Sequence, residues 1–322
     1  MTRKWCLAMM TALVAVTALP VAHAQKYPDH PIRLVVPYAP GGSVDIIGRL
    51  LASKLSEYLG QQVVVENKGG GGATIGTALV AKAPADGYTL LLADIAFGAN
   101  PALMSKLPYD SARDFAPVAL VALLPSILVV DPALPVGSAK ELVALAKSSP
   151  GKLNYSSAGV GSMNFLAGEL FKSQQGIDVV HVPYQSGGQA IAAILGGQTQ
   201  FVITTIPPVL QHVKAGKVKA LALSGNKRQP SLPDVPTFAE AGFAEFDVSL
   251  WQGVLVPAGT PPEVIARLNS EVNRALAAPD VRARIAELGA DPAGGTSDQF
   301  AAFISGEMAR WGKLIKPEMR LN

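Results

Sequence analysis

The chain has 322 residues and a formal net charge of +3, with 27 Lys and Arg against 24 Asp and Glu. So small a charge gives neither the basic field that nucleic acid requires nor a polybasic membrane patch. The length exceeds that of a usual single core, so we expect two lobes. His30, His181 and His212 have no metal-ligand spacing. We therefore expect no metal and no cofactor.

The first 24 residues are typical of a secretory signal peptide. A short positive head precedes a mostly apolar run over residues 5–21, and Ala22-His23-Ala24 is a small-x-small cleavage site. Cleavage before Gln25 removes Cys6, the single cysteine, so the mature chain has no thiol for disulfides or thiolate chemistry. A membrane anchor is the alternative interpretation, although the run is at the short end for a spanning helix. The sequence thus predicts a secreted protein.

Short apolar strands alternate with amphipathic helices along the rest of the chain, which indicates α/β layers with mostly parallel sheets. In the first part, the pattern predicts strands over 32–38, 61–67, 87–94 and 118–130 and helices over 43–59 and after residue 73. In the second part, it predicts a helix after Ser138, then three strand–loop–helix units between 153 and 216 and a strand over 217–224. Beyond these, it predicts a helix after a Thr260–Glu263 capping box and two further helices over 280–288 and 297–315.

The apolar run over 118–130 is typical of a buried strand that passes between two lobes. The chain would leave lobe one near residue 124 and re-enter it near residue 224. Two crossings place a hinge cleft between the lobes. The predicted domains are 25–124 with 225–322 for lobe one, and 125–224 for lobe two.

Val-Pro-Tyr, two further residues, Gly-Gly and an apolar helical run occur twice, at 36–51 and 182–195. Amides in the first turn of a helix have no intrahelical partner, and a preceding glycine lets an anion approach them. Such loops can also be plain strand-to-helix turns, but their number in two lobes favours a ligand cleft. The candidate residues are Gly41, Gly42, Ser43, Ser157, Gly159, Ser162, Gly187 and Gly188.

Other candidate residues have two interpretations each. Asp45 either complements the dipole of its helix or faces the cleft as a polar selector. Trp251 and Tyr184 are either cleft walls or buried aromatics. The four glycines at 69–72 complete no nucleotide-binding motif and are interpreted as a surface or hinge-side loop. No G-x-S-x-G or complete S-x-x-K set is present, so we expect no enzyme and no catalytic residue.

Six segments resemble the solute receptors of tripartite tricarboxylate transporters, the Bug proteins. They are YPDHPIRLVVPYAPGGSVDIIGRLLA, VVVENKGGGGATIG, PADGYTLLL, NYSSAGVGSMNFLAGELF, VPYQSGGQA and WQGVLVPAGTP, and the likeness covers nearly the whole mature chain. The resemblance implies a type II periplasmic binding fold. It further implies a periplasmic monomer that closes on a small organic acid, often a di- or tricarboxylate or an acidic amino acid, and delivers it to a membrane permease.

The resemblance also implies which residues hold the ligand carboxylate, mainly through backbone amides and ordered waters. These are Tyr38, Gly41 and Gly42 in lobe one and Ala158, Gly159 and Ser162 in lobe two. The chain departs from the family pattern at two places. Thr204 and Thr205 follow a strand where the family often has an acidic residue, and Asp94 stands where small hydroxyl residues are common.

The hypothesis from the sequence is therefore a periplasmic receptor that binds a carboxylate between its lobes. A receptor that signals its closed state to a sensor kinase is one alternative, and a secreted hydrolase is another. The identity of the ligand stays open, as does any contact of Asp45 and Asp94 with it.

Overall fold

The computed structural model describes residues 27–321, so the predicted signal peptide lies outside the described residues. Its strands are β1 (Ile32–Val36), β2 (Val63–Asn67), β3 (Thr89–Asp94), β4 (Phe115–Val130), β5 (Asn154–Ser157), β6 (Val180–Pro183), β7 (Phe201–Thr205), β8 (Lys219–Leu223), β9 (Ser249–Pro257) and β10 (Asp291–Pro292). Its helices are α1 (Ser43–Leu59), α2 (Thr74–Ala81), α3 (Ile95–Leu103), α4 (Ala139–Ser148), α5 (Met163–Gln175), α6 (Gly187–Leu195), α7 (Ile206–Lys214), α8 (Pro262–Ala277), α9 (Pro279–Glu287) and α10 (Ser297–Leu314), with a short 3-10 turn at Pro317–Met319.

Helix α1 shows how local sequence fixes an element. Ile47, Leu51 and Leu55 recur at a spacing of four residues and are all buried, so one face of α1 packs on the sheet. The helix ends where Gly60 adopts a left-handed conformation (φ 69°) and its amide donates to Ser56 O. A residue with a Cβ would be strained at this position.

The strands form two sheets that share β4. In lobe one the order is β2-β1-β3-β9, with the first part of β4 pairing β9. In lobe two the second part of β4 pairs β7 and β8, and β5 lies between β7 and β6. The α/β prediction is confirmed, and the sheets are mixed. Outer pairs such as β1–β2 and β5–β6 are parallel, whereas every pair that involves β4 or β9 is antiparallel.

Strand β4 passes from one lobe to the other at its midpoint, within the apolar run that the sequence marks as a crossing. Pro125 is its last residue paired with β9, and Ser126 is its first residue paired with β7. The Ser126 amide donates to Ser224 Oγ at 2.7 Å, and Ser224 Oγ lies 3.1 Å from Ser249 Oγ. Three chain segments therefore meet at these serines, which mark the hinge.

The segment 225–248 follows β8 and is predicted from the sequence to belong to lobe one. Phe238 and Phe246 pack on Phe171 of α5, with ring centroids 6.1 and 5.4 Å apart. These contacts attach the segment to lobe two, and Ser249 then begins β9 in lobe one. The domain boundaries stay a prediction, and the aromatic contacts favour a return near residue 248.

The predicted capping box at Thr260 and Glu263 is absent from α8. The Thr260 hydroxyl donates to Pro257 O instead, and Pro261 occupies the N-cap position. Pro262 then takes the first helical position, where its missing amide hydrogen leaves no bond unmade. Within residues 27–321, no helix is both long enough and apolar enough to span a bilayer.

Candidate functional site

An inner cavity lies between the lobes, with about 400 Å³ of space not filled by protein atoms, part of which is open to solvent. It forms where the first turns of α1 and of three lobe-two helices face one another beside the end of β3. Its lining residues are Tyr38, Gly42, Ser43, Val44, Asp94, Ala158, Ser162, Met163, Asn164, Gly187, Thr204, Thr205, Pro208 and Leu250. This lining contains no Lys, Arg or His.

Helix α1 presents an uncapped N-terminus to this cavity. Gly42 is its N-cap residue, with extended backbone (φ −87°, ψ 172°) and no side chain to accept from the first-turn amides. No side chain among the described residues accepts from the amides of Ser43, Val44 or Asp45. These amides, with the positive end of the helix dipole, can therefore serve an anion.

Asp45 does not line the cavity. Its carboxylate accepts hydrogen bonds from the Gly41 amide at 3.1 Å and from Asn67 Nδ2 at 2.9 Å, and it pairs with Arg49 at 2.9 Å. Burial acts to raise the pKa of Asp45, but the bonds from Arg49 and Asn67 outweigh it and hold the pKa below its usual value. The carboxylate thus fixes the loop before α1, as the dipole interpretation expects.

The loop before α5 brings Ala158 and Ser162 to the cavity and turns two predicted residues away. Ser162 Oγ donates to Gly159 O at 2.6 Å and accepts from the Phe165 amide at 3.4 Å, which closes the first turn. Ser157 Oγ accepts from the Gly159 amide and lies 2.6 Å from His181 Nε2. Ser157 is fully buried behind the cavity wall.

Helices α1 and α6 meet N-terminus to N-terminus across the cleft. A Cβ atom added to Gly42 would lie 3.6 Å from Gly187 N, and one added to Gly188 would lie 3.1 Å from Gly41 O. Unlike α1, helix α6 has its own cap, because Ser186 Oγ accepts from the Gln189 amide. We call this glycine contact the seam.

The last two residues of β7 add hydroxyl groups to the cavity. Thr204 and Thr205 are 2% and 3% exposed, and neither hydroxyl has a hydrogen-bond partner among the described residues. Thr205 is also the N-cap residue of α7 and makes no side-chain cap bond. Both hydroxyls are therefore free to contact a ligand.

Tyr38 and Asp94 form the acidic wall of the cavity. Asp94 is the N-cap residue of α3, and its Oδ1 accepts from the Ala96 amide at 3.0 Å. Burial raises the pKa of Asp94 to about 7, against the lowering effects of the Tyr38 hydroxyl and the Ala96 amide. The Tyr38 hydroxyl influences this carboxyl but completes no hydrogen bond of normal geometry within residues 27–321.

An outer groove adjoins the inner cavity, and Tyr38 and Ala158 line both. It has about 1620 Å³ of empty space, and Tyr184 and Lys106 lie on its walls. Gly159 and the 70–74 glycine loop also line it, so this loop borders the cleft. Trp251 is only 1% exposed, and its indole N–H donates to Glu307, so Trp251 is a buried aromatic residue and not a cleft wall.

The structure brings nine of the predicted site residues together around the inner cavity, Gly187 among them. Gly41, Asp45, Ser157, Gly159 and Gly188 do not line it, and the contact of any predicted residue with a ligand stays a prediction. The lining residues missed as candidates are Val44, Met163, Asn164, Pro208 and Leu250. Met163 and Asn164 follow Ser162 directly, so the first turn of α5 could have indicated them. Among the described residues, no cluster of three potential metal ligands exists.

Comparison with known proteins shows which family of proteins this chain resembles. Residues 47–319 match the tripartite tricarboxylate transporter family receptor. The chain is 39% identical to protein BugT of Bordetella pertussis, over 98% of this chain and 97% of BugT. A solved periplasmic transporter is 39% identical, with a TM-score of 0.89 over 92% of this chain and all of that one.

Two further structures come from Rhodopseudomonas palustris and contain ligands. One, with adipate, is 35% identical, with a TM-score of 0.87 over 89% of this chain and 97% of that one. The other, MatC with bound malate, is 34% identical, with a TM-score of 0.87 over 90% of this chain and all of that one.

The fold and the cleft between its lobes define a periplasmic solute-binding protein, a class that acts by binding. The chain belongs to the tripartite tricarboxylate transporter receptor family.

Proposed function

We propose that this protein is a periplasmic receptor that binds a small organic carboxylate in the inner cavity and delivers it to a tripartite tricarboxylate-type permease. The uncapped N-terminus of α1, facing a cavity lined by no cationic side chain, carries this proposal. The signal peptide, removed near Ala24 and Gln25, would direct the protein to the periplasm.

The amides of Ser43, Val44 and Asp45 bind the carboxylate oxygens, and the hydroxyls of Thr204 and Thr205 approach from lobe two. Charge-assisted hydrogen bonds are stronger than neutral ones, and closure removes the water that would weaken them. Binding and release need no covalent step. The adipate and malate bound by the two Rhodopseudomonas palustris proteins support a small acid as the ligand.

The first experiment identifies the acid and then blocks its site. A thermal-shift screen of organic acids should find a stabilising ligand, because a ligand at 100 times its Kd adds about 2.7 kcal/mol to the free energy of unfolding. Calorimetry with Gly42→Val should then show a loss of roughly 100-fold in affinity, since the isopropyl group would occupy the approach to the α1 amides.

Gly312→Val is the matched control, because a Cβ added to Gly312 on the exposed part of α10 has no atom within 4 Å. Its affinity should equal that of the wild type. Equal affinity in Gly42→Val would show that the N-terminus of α1 is not the anion site. Uptake of the acid by cells that lack the gene tests delivery, because a purely sensing receptor would leave uptake unchanged.

A further inference from the structure

The acidic wall of the inner cavity has hydrogen-bonding capacity that carboxylate binding by α1 does not use. Asp94 is 3% exposed, lines the cavity and has one oxygen occupied by the Ala96 amide. Beside it, the buried Tyr38 hydroxyl is near enough to lower the pKa of Asp94, but it completes no hydrogen bond of normal geometry among the described residues. Buried polar groups without partners are uncommon in folded proteins and call for an explanation such as a ligand.

Gln252, which does not itself line the cavity, adds unmet hydrogen-bonding capacity beside Asp94. It stands directly opposite Asp94 in the antiparallel β3–β9 ladder, so the two side chains leave the sheet on the same face. Gln252 is fully buried, and neither its amide oxygen nor its amide nitrogen has a partner within residues 27–321.

The charges around Asp94 determine which chemical groups of a ligand can bind beside it. The ionisable groups that act on it or feel its charge are the phenols of Tyr38 and Tyr109. No cationic side chain lines the cavity. Burial raises the pKa of Asp94 to about 7, so the carboxyl is mostly ionised at pH 8. A second carboxylate there would meet a like charge, whereas an ammonium or a hydroxyl would find an acceptor.

We propose that Asp94 and the Tyr38 hydroxyl form a subsite that selects acids whose second polar group is a hydrogen-bond donor. An ammonium pairs with the Asp94 carboxylate, and a hydroxyl donates to it while accepting from Tyr38. An acid whose second group is an ionised carboxylate is disfavoured. This inference rests on the proposed function, because it concerns the second end of a ligand whose first carboxylate is bound by α1.

The test uses matched acids that share one skeleton and differ only in the second group. Calorimetry at pH 8 compares butyrate, 4-hydroxybutyrate, 4-aminobutyrate and succinate, and repeats the series with hexanoate, 6-hydroxyhexanoate, 6-aminohexanoate and adipate. In at least one series the wild type should bind the amino acid at least tenfold more tightly than the dicarboxylate, with the hydroxy acid in between.

Asp94→Asn keeps the size of the side chain and the acceptor for Ala96 but removes the charge. The affinity ratio of amino acid to dicarboxylate should fall at least tenfold in this variant. In the wild type the ratio should also fall as the pH is lowered from 8 to 6.5, because Asp94 takes up a proton while both dicarboxylates stay almost fully ionised, whereas in Asp94→Asn it should stay nearly constant. Tyr38→Phe should weaken the hydroxy acid more than the amino acid.

Asp131→Asn provides the matched control. Asp131 accepts from the amide two residues later, that of Ala133 at 2.8 Å, as Asp94 does from Ala96, but it does not line the inner cavity. Its affinity ratios should equal those of the wild type. Melting temperatures of all variants, measured without ligand, separate loss of fold from loss of selectivity.

Two results would overturn the inference and leave the proposed function standing. One is a wild type that binds succinate or adipate at least as tightly as the matching amino acid, while Gly42→Val abolishes that binding. The other is an Asp94→Asn variant with an unchanged ratio. Failure of the wild type to bind any acid of either series also overturns the inference, and failure of the wider screen of organic acids contradicts the proposed function as well.

Discussion

The two Val-Pro-Tyr-x-x-Gly-Gly segments share a sequence and build different halves of one cleft. In the first, both glycines precede the helix, Gly42 is the N-cap residue, and the first-turn amides have no side-chain acceptor in the part of the chain that the structure describes. In the second, the helix begins at Gly187 itself, and Ser186 caps it. The same motif therefore leaves one helix N-terminus open for a ligand and closes the other.

The tyrosines of the two segments differ in the same way. Tyr38 is 5% exposed, lines the inner cavity beside the buried Asp94, and its hydroxyl completes no hydrogen bond of normal geometry within residues 27–321. Tyr184 lies on the outer groove, and its hydroxyl donates to Gln198 at 3.2 Å. A repeated motif predicts the repeated strand–loop–helix path, but the neighbouring residues decide which half binds.

The largest expected effect concerns the buried acid of the first half. Burial raises the pKa of Asp94 from its usual 3.8 to about 7. A folded-state pKa above the unfolded value favours the native state below about pH 4, and this contribution is lost as the pH rises through 7. Relative to Asp94→Asn, the free energy of unfolding of the wild type should fall by up to about 4 kcal/mol between pH 4 and pH 8. Urea unfolding of both proteins measures this difference, and parallel pH profiles would contradict the burial of a titrating carboxyl.

The next effect tests the seam that joins the two halves. An alanine Cβ at Gly188 would lie 3.1 Å from Gly41 O and 3.2 Å from Gly41 C, so the lobes would have to separate slightly. Gly188→Ala should weaken binding about tenfold, because overpacking against backbone atoms costs about 1–3 kcal/mol and is relieved when the cleft opens. In Gly187→Ala the nearest atoms would be 3.9 Å away, and the loss should be no more than about threefold. Equal affinities in calorimetry would show that the seam does not limit closure.

The smallest effect is expected from two variants, one that adds a cap to α1 and one that removes the cap of α6. Gly42→Ser places a hydroxyl where it can accept from a first-turn amide of α1, so it should stabilise the fold by a few tenths of a kcal/mol and weaken binding severalfold. Ser186→Ala should lower the free energy of unfolding by about 1 kcal/mol and leave affinity nearly unchanged. Denaturation and calorimetry on both variants provide the comparison. Tighter binding by Gly42→Ser would show that the ligand does not depend on free α1 amides.

Much of this fold could be predicted from the sequence because local signals are strong. The Ile and Leu spacing and the terminal Gly60 fix α1 at its predicted bounds, and the apolar run around residue 125 marks the crossing strand. Local signals fail where two starts are possible, as at the start of α8. Thr260 and Glu263 have the right spacing for a capping box, but a proline follows at both 261 and 262, and the helix begins at Pro262 with Pro261 as its N-cap residue.

The site was predicted only in part because its geometry depends on distant segments. The first turn of α1 does not reveal that Asn67, at the end of β2, draws the Asp45 carboxylate away from the cavity. Leu250, the second residue of β9, enters the lining directly after the hinge, and no nearby residue marks it. Tertiary contacts decide the direction of these side chains, and a local sequence pattern contains no information about such contacts.

The shared strand β4 has a consequence for how the polypeptide assembles. Lobe two is inserted between β4 and β9, so β3 receives its partner β9 only after Ser249, which follows Asp94 by 155 residues. Pairing over so long a separation slows folding, and it leaves the edges of β3 and of the first part of β4 open until β9 has been synthesised. The inserted lobe completes its own sheet before that closure, so the first half of the receptor matures last.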